Sequence, residues 1–327
     1  MKLVKNLCRI IVGIVFIYSG FVKGIDPLGS DYKFTDYFNA FGMGWMNATT
    51  LFFSFALSLA EFLIGIALLF NLWVSRLAWG SLLFMAFFTP LTLVLALTNP
   101  VSDCGCFGDA MVLTNWQTFW KNIILLLLTI MVFVYRREYK SSLPLMGQFS
   151  ILALTGAGML CLSIYCYHHL PVLDFRPYAV GKNITEEMRL PEGAEQDQYE
   201  VTLKYRNRQT GEIQSFTEEN YPWQDTLNWE YESSSERLVK KGYITPIHDL
   251  VIEHPTLGNI TDEILEDNNH TILAVAYHLN QSDTQCQPVI NRLAEYAREK
   301  GFRFYGLTSS TEQDIQAYKK RYHVPYE

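Results

Sequence analysis

Two of the six cysteines lie almost side by side in the chain. Cys104 and Cys106 are separated only by Gly105. A disulfide across a single residue closes a very small, strained ring, and strained, exposed disulfides are the ones that are easily reduced. Gly105 permits backbone angles in such a ring that a side chain would hinder. The spacing therefore favours redox-active or bridging cysteines.

Three other interpretations of this pair stay open: two free thiols, an inert structural pair, or half of a metal site. A metal site needs about four ligands, and the additional ligands nearest in the sequence are His168 and His169. Cys8 and Cys161 lie in apolar runs, where we expect them to act as small apolar side chains.

The segments that must position these cysteines differ strongly in composition. Residues 1–166 contain 10 Lys and Arg against 7 Asp and Glu, whereas residues 167–327 contain 16 against 26. The mean hydropathy of +0.06 thus averages an apolar half and an acidic half. A single soluble domain is excluded. So is a nucleic-acid-binding protein, because no basic stripe is present to neutralise phosphates.

The first half contains apolar runs of the length that crosses a membrane. Each run is close to the ~20 residues that span a bilayer. The chain is therefore interpreted as a polytopic membrane protein. The runs cover residues 3–22, 51–73, 77–97, 116–135 and 146–167.

The cations of the short connecting loops predict the orientation. They put the N-terminus, the second connection and the fourth connection in the cytoplasm, and so put Cys104, Cys106 and everything after residue 168 outside. We expect a bacterial inner-membrane protein with an uncleaved first helix and a periplasmic acidic half, where disulfides persist. The cations are Lys2, Lys5, Arg9, Arg76, Arg136, Arg137 and Lys140.

Glu61 is the one ionisable residue of the second run. It lies about 11 residues into the run, or ~16 Å deep at ~1.5 Å per residue. A charge at that depth costs at least ~2.5 kcal/mol, so Glu61 should face the bundle and find a partner. Lys121 enters the fourth run from the same side and is the expected partner, whereas Lys23 is expected to extend to the membrane surface. The pair either ties the helices together, or accepts protons and anchors a ligand such as a quinone.

These residues also carry a family resemblance. The chain looks like the DoxX/MauE-like membrane family over residues 1 to about 140. The residues that carry it are Phe16-Ile17-Tyr18-Ser19-Gly20, Lys23, Asp26-Pro27, Glu61, Asp103-Cys104-Gly105-Cys106-Phe107-Gly108, Asn115-Trp116 and Lys121.

The resemblance implies a four-helix bundle, similar in arrangement to the vitamin K epoxide reductase and DsbB membrane oxidoreductases. It also implies a link to disulfide formation or to quinone-coupled redox chemistry. The MauE branch is associated with maturation of the disulfide-rich methylamine dehydrogenase subunit. The chain departs from the DsbB pattern, because it has C-x-C in place of C-x-x-C.

The second half changes to short strands and helices. Residues 199–205 alternate, and residues 213–216 are expected to return as a hairpin. Short strand pieces are expected at 229–231 and 238–239, and a helix at 259–266. A strand–helix–strand–helix order follows, which predicts a parallel or mixed sheet. Its elements are 271–277, 288–300, 302–307 and 312–322.

The segment from Thr271 resembles a thioredoxin-like domain of the TlpA type, although Cys286 is single where C-x-x-C would be expected. Cys286 precedes a helix, whose dipole would stabilise a thiolate, while Asp283 would oppose it. It is a candidate for monothiol exchange or for a mixed disulfide with Cys104 or Cys106. The alternative is a degenerate thioredoxin fold used for binding. The domain is expected to be incomplete at the C-terminus.

The expected organisation is a bundle over 1–140, a fifth helix and tether over 141–170, a strand-rich segment over 171–265 and a partial thioredoxin-like domain over 266–327. We predict a membrane redox protein with Cys104, Cys106 and Cys286 as catalytic residues and Glu61 and Lys121 at a quinone or proton site. Expected partners are periplasmic thiol or thioredoxin-like proteins, membrane lipid and a quinone. The alternative is a non-catalytic, membrane-anchored assembly factor.

Overall fold

The computed structural model describes residues 2–326 except 102, 192, 195–197, 218–219, 241, 244, 248–249, 268 and 281. The chain forms two compact units, Met1–Val180 and Gly181–Glu327. The first is helical and the second is mixed α/β.

In the part of the chain that the structure describes, five helices of the first unit are long and apolar enough to cross a membrane. The five expected runs are thereby confirmed as helices, with ends within a few residues of the prediction. They are α1 (Lys2–Ile25), α3 (Thr50–Leu69), α4 (Val74–Thr98), α5 (Asn115–Val134) and α6 (Leu145–His168).

A further helix, α2 (Pro27–Ala40), lies between the first two apolar runs, where no helix was predicted. Asp26 caps it by accepting a hydrogen bond from the Gly29 amide at 3.0 Å, and Pro27 occupies its first turn. An Asp N-cap followed by proline is a helix-start signal. A short 3₁₀ helix, Gly44–Thr49, then leads into α3.

Helices α1 and α3 pack with their backbones in contact. A Cβ atom on Gly20 would lie 2.5 Å from the amide nitrogen of Phe62 and 2.7 Å from the carbonyl oxygen of Ser58. A Cβ atom on Gly65 would lie 2.5 Å from the amide nitrogen of Ile17. Small residues at such a crossing permit close van der Waals packing, which is a main source of helix association in lipid.

We expect Gly20→Ala to destabilise the first unit by about 1–3 kcal/mol, because the new methyl group would have to displace backbone atoms of α3. The matched control is Gly158→Ala in α6, where a Cβ atom would meet nothing within 4 Å. Thermal unfolding of both variants in lipid nanodiscs gives the comparison. An equal melting temperature for the two variants would contradict this account of the α1–α3 contact.

At the end of the bundle that contains the first turns of α1, two cations of α1 contact neighbouring segments. Arg9 donates hydrogen bonds to the Leu68 carbonyl and, at 3.0 Å, to the Leu69 carbonyl at the end of α3. Lys5 forms an ion pair with Glu138 at 2.8 Å. Carbonyls at a helix C-terminus lack intrahelical donors, so the Arg9 contacts fix α1 against the end of α3. The Lys5–Glu138 ion pair joins α1 to the segment that follows α5.

The second unit begins with helix α7 (Ile184–Met188) and an antiparallel sheet. Strands β1 (Gln198–Asn207), β2 (Ile213–Thr217) and β3 (Trp229–Lys240) have the order β2-β1-β3. The predicted hairpin is confirmed. The two short strand pieces expected at 229–231 and 238–239 are instead one strand, because three serines of low strand propensity at 233–235 continue to pair with β1.

The rest of this unit follows the predicted strand–helix order. Strands β6 and β7 pair in parallel, as predicted, but this pairing alone does not define a thioredoxin fold. Helix α8 lies within the segment expected to be helical. The elements are β4 (Glu253–His254), β5 (Gly258–Asn259), α8 (Thr261–Leu265), β6 (Thr271–Val275), α9 (Gln287–Lys300), β7 (Arg303–Leu307) and α10 (Glu312–Tyr322).

Candidate functional site

The two neighbouring cysteines bring their sulfur atoms together. The Sγ atoms of Cys104 and Cys106 are 2.8 Å apart, and both residues are partly buried. Gly105 between them has φ +62°, which is a left-handed conformation, and a Cβ atom there would lie 3.1 Å from Cγ of Lys33. The sharp turn that aligns the sulfurs therefore requires glycine.

Hydrogen bonds from two helices fix this loop. The Ser19 hydroxyl of α1 donates to the Cys106 carbonyl at 2.7 Å, and the Tyr37 hydroxyl of α2 donates to the Cys104 carbonyl at 2.5 Å. Burial raises the pKa of Tyr37, with the neighbouring Cys104 adding to the effect, so the hydroxyl stays protonated and able to donate. Neither hydroxyl was predicted from the sequence to hold the loop.

Asp103 ties the start of the loop to α2. Its carboxylate accepts a hydrogen bond from the Gly105 amide at 2.8 Å and forms an ion pair with Lys33 at 2.7 Å. Helix α2 thus holds the loop at both Asp103 and Cys104.

Glu61 is deeply buried and has a cationic partner, but the partner is Lys23 and not the expected Lys121. Lys23 Nζ lies 2.6 Å from Glu61 Oε1, and the two side chains are 11% and 3% exposed. Lys23 therefore does not extend to the membrane surface, because α1 continues to Ile25 and keeps Lys23 in its last turn. The other carboxylate oxygen, Oε2, is buried and has no hydrogen-bond partner among the described residues.

Lys121 takes a different position. Its ammonium group lies 4.2 Å from the ring centroid of Phe107, the residue after the cysteine pair. Phe107 is buried and also meets Tyr18 edge-to-face, with ring centroids 5.5 Å apart. Lys121 thus brings a positive charge next to the loop through a cation–π contact.

Most of these groups line one cavity of about 80 Å³. Cys104 and Cys106 line it together with Lys23, Glu61 and Lys121. Its apolar wall includes Phe16, Phe84, Met85, Phe88, Leu91 and Leu125. A concave, mostly apolar space with a few convergent polar groups is typical of a ligand site.

The surroundings make the two thiols unequal. A hydrogen bond from Cys104 and the positive charges of Lys121 and Lys23 lower the pKa of Cys106 to about 6, against the opposing effect of burial. The same hydrogen bond, followed by burial, raises the pKa of Cys104. Near neutral pH the reduced pair therefore holds one proton, and the thiolate is on Cys106.

The third predicted catalytic cysteine lies in the second unit. Cys286 is exposed, ends the 3₁₀ helix Thr284–Cys286 and immediately precedes α9. The Asp283 carboxylate accepts a hydrogen bond from the Gln285 amide at 2.9 Å. Cys286 is the only cysteine after residue 166.

The metal alternative has no geometric support in the described part of the chain. No group of three or more metal-ligating side chains occurs there. The His169 Nδ1 atom instead lies 2.9 Å from the Tyr165 carbonyl oxygen, one turn earlier in the chain.

Fold and site together define a multi-pass membrane protein whose loop between α4 and α5 carries a cysteine pair that lines a cavity among the helices. Residues 1–135 match the family model of methylamine utilisation protein MauE, so the membrane half is MauE-like. Residues 199–241 match a domain of unknown function, DUF8463. No curated protein and no solved structure matches the chain.

Proposed function

We propose that this protein is a membrane thiol–disulfide oxidoreductase that uses Cys104 and Cys106 to oxidise dithiols of envelope proteins. The observation that carries the proposal is the pair of sulfur atoms 2.8 Å apart, in cysteines that line one cavity together with Lys23, Glu61 and Lys121. The lowered pKa of Cys106 supplies a thiolate, which is the form that undergoes exchange.

The exchange balances as follows. A partner thiolate attacks the Cys104–Cys106 disulfide and forms a mixed disulfide, and the partner's second thiolate then releases the loop as a reduced pair. The partner loses two electrons and two protons and gains a disulfide. The loop cysteines give up the same two electrons and two protons when their disulfide forms again.

A lipid-soluble quinone is the proposed oxidant, because it accepts two electrons and two protons and becomes a quinol. The residues of the cavity fit such a group. Its apolar wall suits a flat ring with an isoprenoid chain, and Lys23 and Asn122 carry donors for ring oxygens. The buried Oε2 atom of Glu61, which has no partner in the described residues, leaves an acceptor there for a hydroxyl donor.

The test uses the full chain in lipid nanodiscs, reduced with a phosphine and freed of excess reductant under argon. Addition of a short-chain benzoquinone should yield one quinol per cysteine pair, measured by absorbance, with loss of two alkylatable thiols. The proposal fails if the quinone stays oxidised and the thiols remain free. Quinol formation without loss of the thiols would equally contradict it.

We further propose the orientation that the loop cations favour, with the cysteine pair on the periplasmic side of a bacterial inner membrane. A membrane-impermeant maleimide on intact cells should then label reduced Cys106 but not a cysteine introduced by Glu138→Cys. Permeabilised cells should label both. Labelling at position 138 on intact cells would overturn the orientation and the redox compartment.

For the second unit, the presence of a single cysteine supports a second candidate role, that of a degenerate thioredoxin-like module that binds the proteins to be oxidised. Exchange between two proteins needs an attacking and a resolving thiol, and residues 181–327 contain Cys286 alone. The MauE-like membrane half supports clients of this kind, because the MauE branch is associated with maturation of methylamine dehydrogenase. If Cys104 and Cys106 do not alternate between a disulfide and a reduced pair, the whole chain is better described as an assembly factor.

A further inference from the structure

The Lys23–Glu61 ion pair is more deeply buried than a role in packing requires. Both charges lie within membrane-spanning helices, at 2.6 Å from each other. Apolar side chains of similar size in place of a buried ion pair often leave a protein equally stable, so the pair itself is weak evidence of a stabilising role. The unpartnered Oε2 of Glu61 adds a second cost. The pair therefore calls for a functional explanation.

The position of the Lys23–Glu61 ion pair beside the cysteines provides a functional explanation for it. Ser19 and Lys23 are four residues apart on α1 and so lie on the same helix face. Ser19 holds the Cys106 carbonyl at 2.7 Å, which places the loop over the face that carries Lys23. On α3, the close contact of Gly20 with Ser58 and Phe62 brackets Glu61. Lys23, Glu61 and Cys106 line the same cavity.

We propose that Glu61 accepts the thiol proton of Cys106, and that Lys23 then exchanges the Glu61 carboxylate for the Cys106 thiolate as its counter-ion. One S–H bond breaks and one carboxylic O–H bond forms, so the charge inside the cavity does not change. When the disulfide forms again, the proton leaves Glu61 and the Lys23–Glu61 ion pair is restored. The proposal deepens the proposed function and rests on it, but its test needs only the reduced protein.

Every element packed around Cys106 contributes charged or titratable groups. Lys23 comes from α1, Glu61 from α3 and Lys121 from α5. The other groups are Lys33 and Tyr37 of α2, and Asp103 and Cys104 of the loop. Lys33 already pairs with Asp103, and Lys121 lies over Phe107, so Lys23 is the cation whose partner carboxylate can be neutralised by the transferred proton.

The first measurement is the rate of alkylation of Cys106 against pH in the reduced full chain in nanodiscs, with fragment mass spectrometry to separate it from Cys104. The wild-type midpoint should lie below the ordinary range of a cysteine thiol, because the pKa of Cys106 is lowered. Lys23→Met should raise the midpoint by about one unit, because a neighbouring cation is lost. Glu61→Gln should leave it nearly unchanged, because Glu61 is already a neutral acid in the proposed thiolate state. Lys23→Arg should keep it.

A shift in Lys23→Met without a shift in Glu61→Gln is the diagnostic result. A Glu61 that stayed ionised beside the thiolate would make Glu61→Gln lower the midpoint, and a purely structural role of the ion pair would shift the midpoint in the same direction in both variants. Lys5→Met is the matched control, because it removes another lysine of α1 that forms an ion pair with a carboxylate, Glu138. Lys5 lies about 27 Å from Lys23 along the helix axis. Lys5→Met should leave the midpoint unchanged. A lowered midpoint for Glu61→Gln, or shifts of equal sign for Lys23→Met and Glu61→Gln, would overturn the proposal.

The second measurement needs no Lys23 variant and covers the case in which Lys23→Met does not fold. Infrared difference spectra of the wild-type chain, taken between the oxidised and the phosphine-reduced states, should gain the carbonyl band of a protonated carboxylic acid on reduction. Glu61→Gln should lack that band, and Glu138→Gln should keep it. Absence of the band in the wild type would disprove proton uptake by Glu61, whether or not the cysteines turn over with quinone.

Discussion

Cys106→Ser is expected to abolish quinone-dependent oxidation of dithiols, with a loss of at least about 10³-fold, because it removes the thiolate and half of the disulfide. The fold should persist, since serine is nearly isosteric and the loop is held by the backbone carbonyls of Cys104 and Cys106 and not by their sulfurs. The measurement is quinol formation in nanodiscs with a model dithiol peptide, together with the melting temperature.

The other cysteines provide the controls. Cys104→Ser leaves Cys106 without a resolving thiol in the loop. Incubated with the oxidised, disulfide-linked dimer of a one-cysteine peptide, it should form a mixed disulfide at Cys106 and release one peptide thiol, seen as a mass increase that reductant removes. Cys161→Ser changes an exposed cysteine of α6 and should retain full turnover. Cys286→Ser should do the same if the second unit only binds clients. Full turnover by Cys106→Ser would exclude the loop as the redox centre.

The helices of the membrane half could be predicted from the sequence because length and composition alone determine them. A run of about 20 apolar residues has few alternatives to a spanning helix, since every backbone polar group must be satisfied internally. Helix α2 was missed for the same reason. It carries too few apolar residues to produce a hydropathy signal, and only Asp26 and Pro27 at its start indicated a helix.

The cysteine pair was also predictable, because its chemistry depends on residues that are neighbours in the chain. The partner of Glu61 was not. Lys23 and Glu61 are 38 positions apart, and their contact depends on how closely α1 and α3 approach. That approach is set by Gly20 and Gly65, whose effect appears only when the two helices are packed. A depth estimate for each helix alone therefore favoured Lys121.

In the second unit, periodicity predicted the strand–helix order from residue 271 onward, because each element there has a clear apolar face. Strand β3 was predicted only as two pieces. Its central serines lack strand propensity, and their pairing with Thr202, Leu203 and Lys204 of β1 is a tertiary effect. The thioredoxin resemblance stays a prediction, since a single Cys286 and one parallel strand pair do not distinguish that fold from other α/β arrangements.

The double substitution Lys23→Met with Glu61→Leu separates stability from function at the buried pair. Removing one partner alone strands a buried charge and is expected to cost about 3–5 kcal/mol, whereas replacing both by apolar side chains should be neutral or stabilising by about 1–4 kcal/mol. Turnover with quinone should nevertheless fall by about 10²–10⁴-fold, because the proton acceptor and the counter-ion of Cys106 are both lost.

The experiment compares the double variant with Lys5→Met combined with Glu138→Leu, which removes the ion pair at the opposite end of α1. That pair is largely solvent-accessible at Glu138, so its loss should change stability by at most about 1 kcal/mol and leave turnover intact. Melting temperature and quinol formation are measured on the same nanodisc samples. If the Lys23→Met, Glu61→Leu protein is stable and turns over at the wild-type rate, the ion pair has only a packing role. The proposed proton path through α1 and α3 would then be wrong.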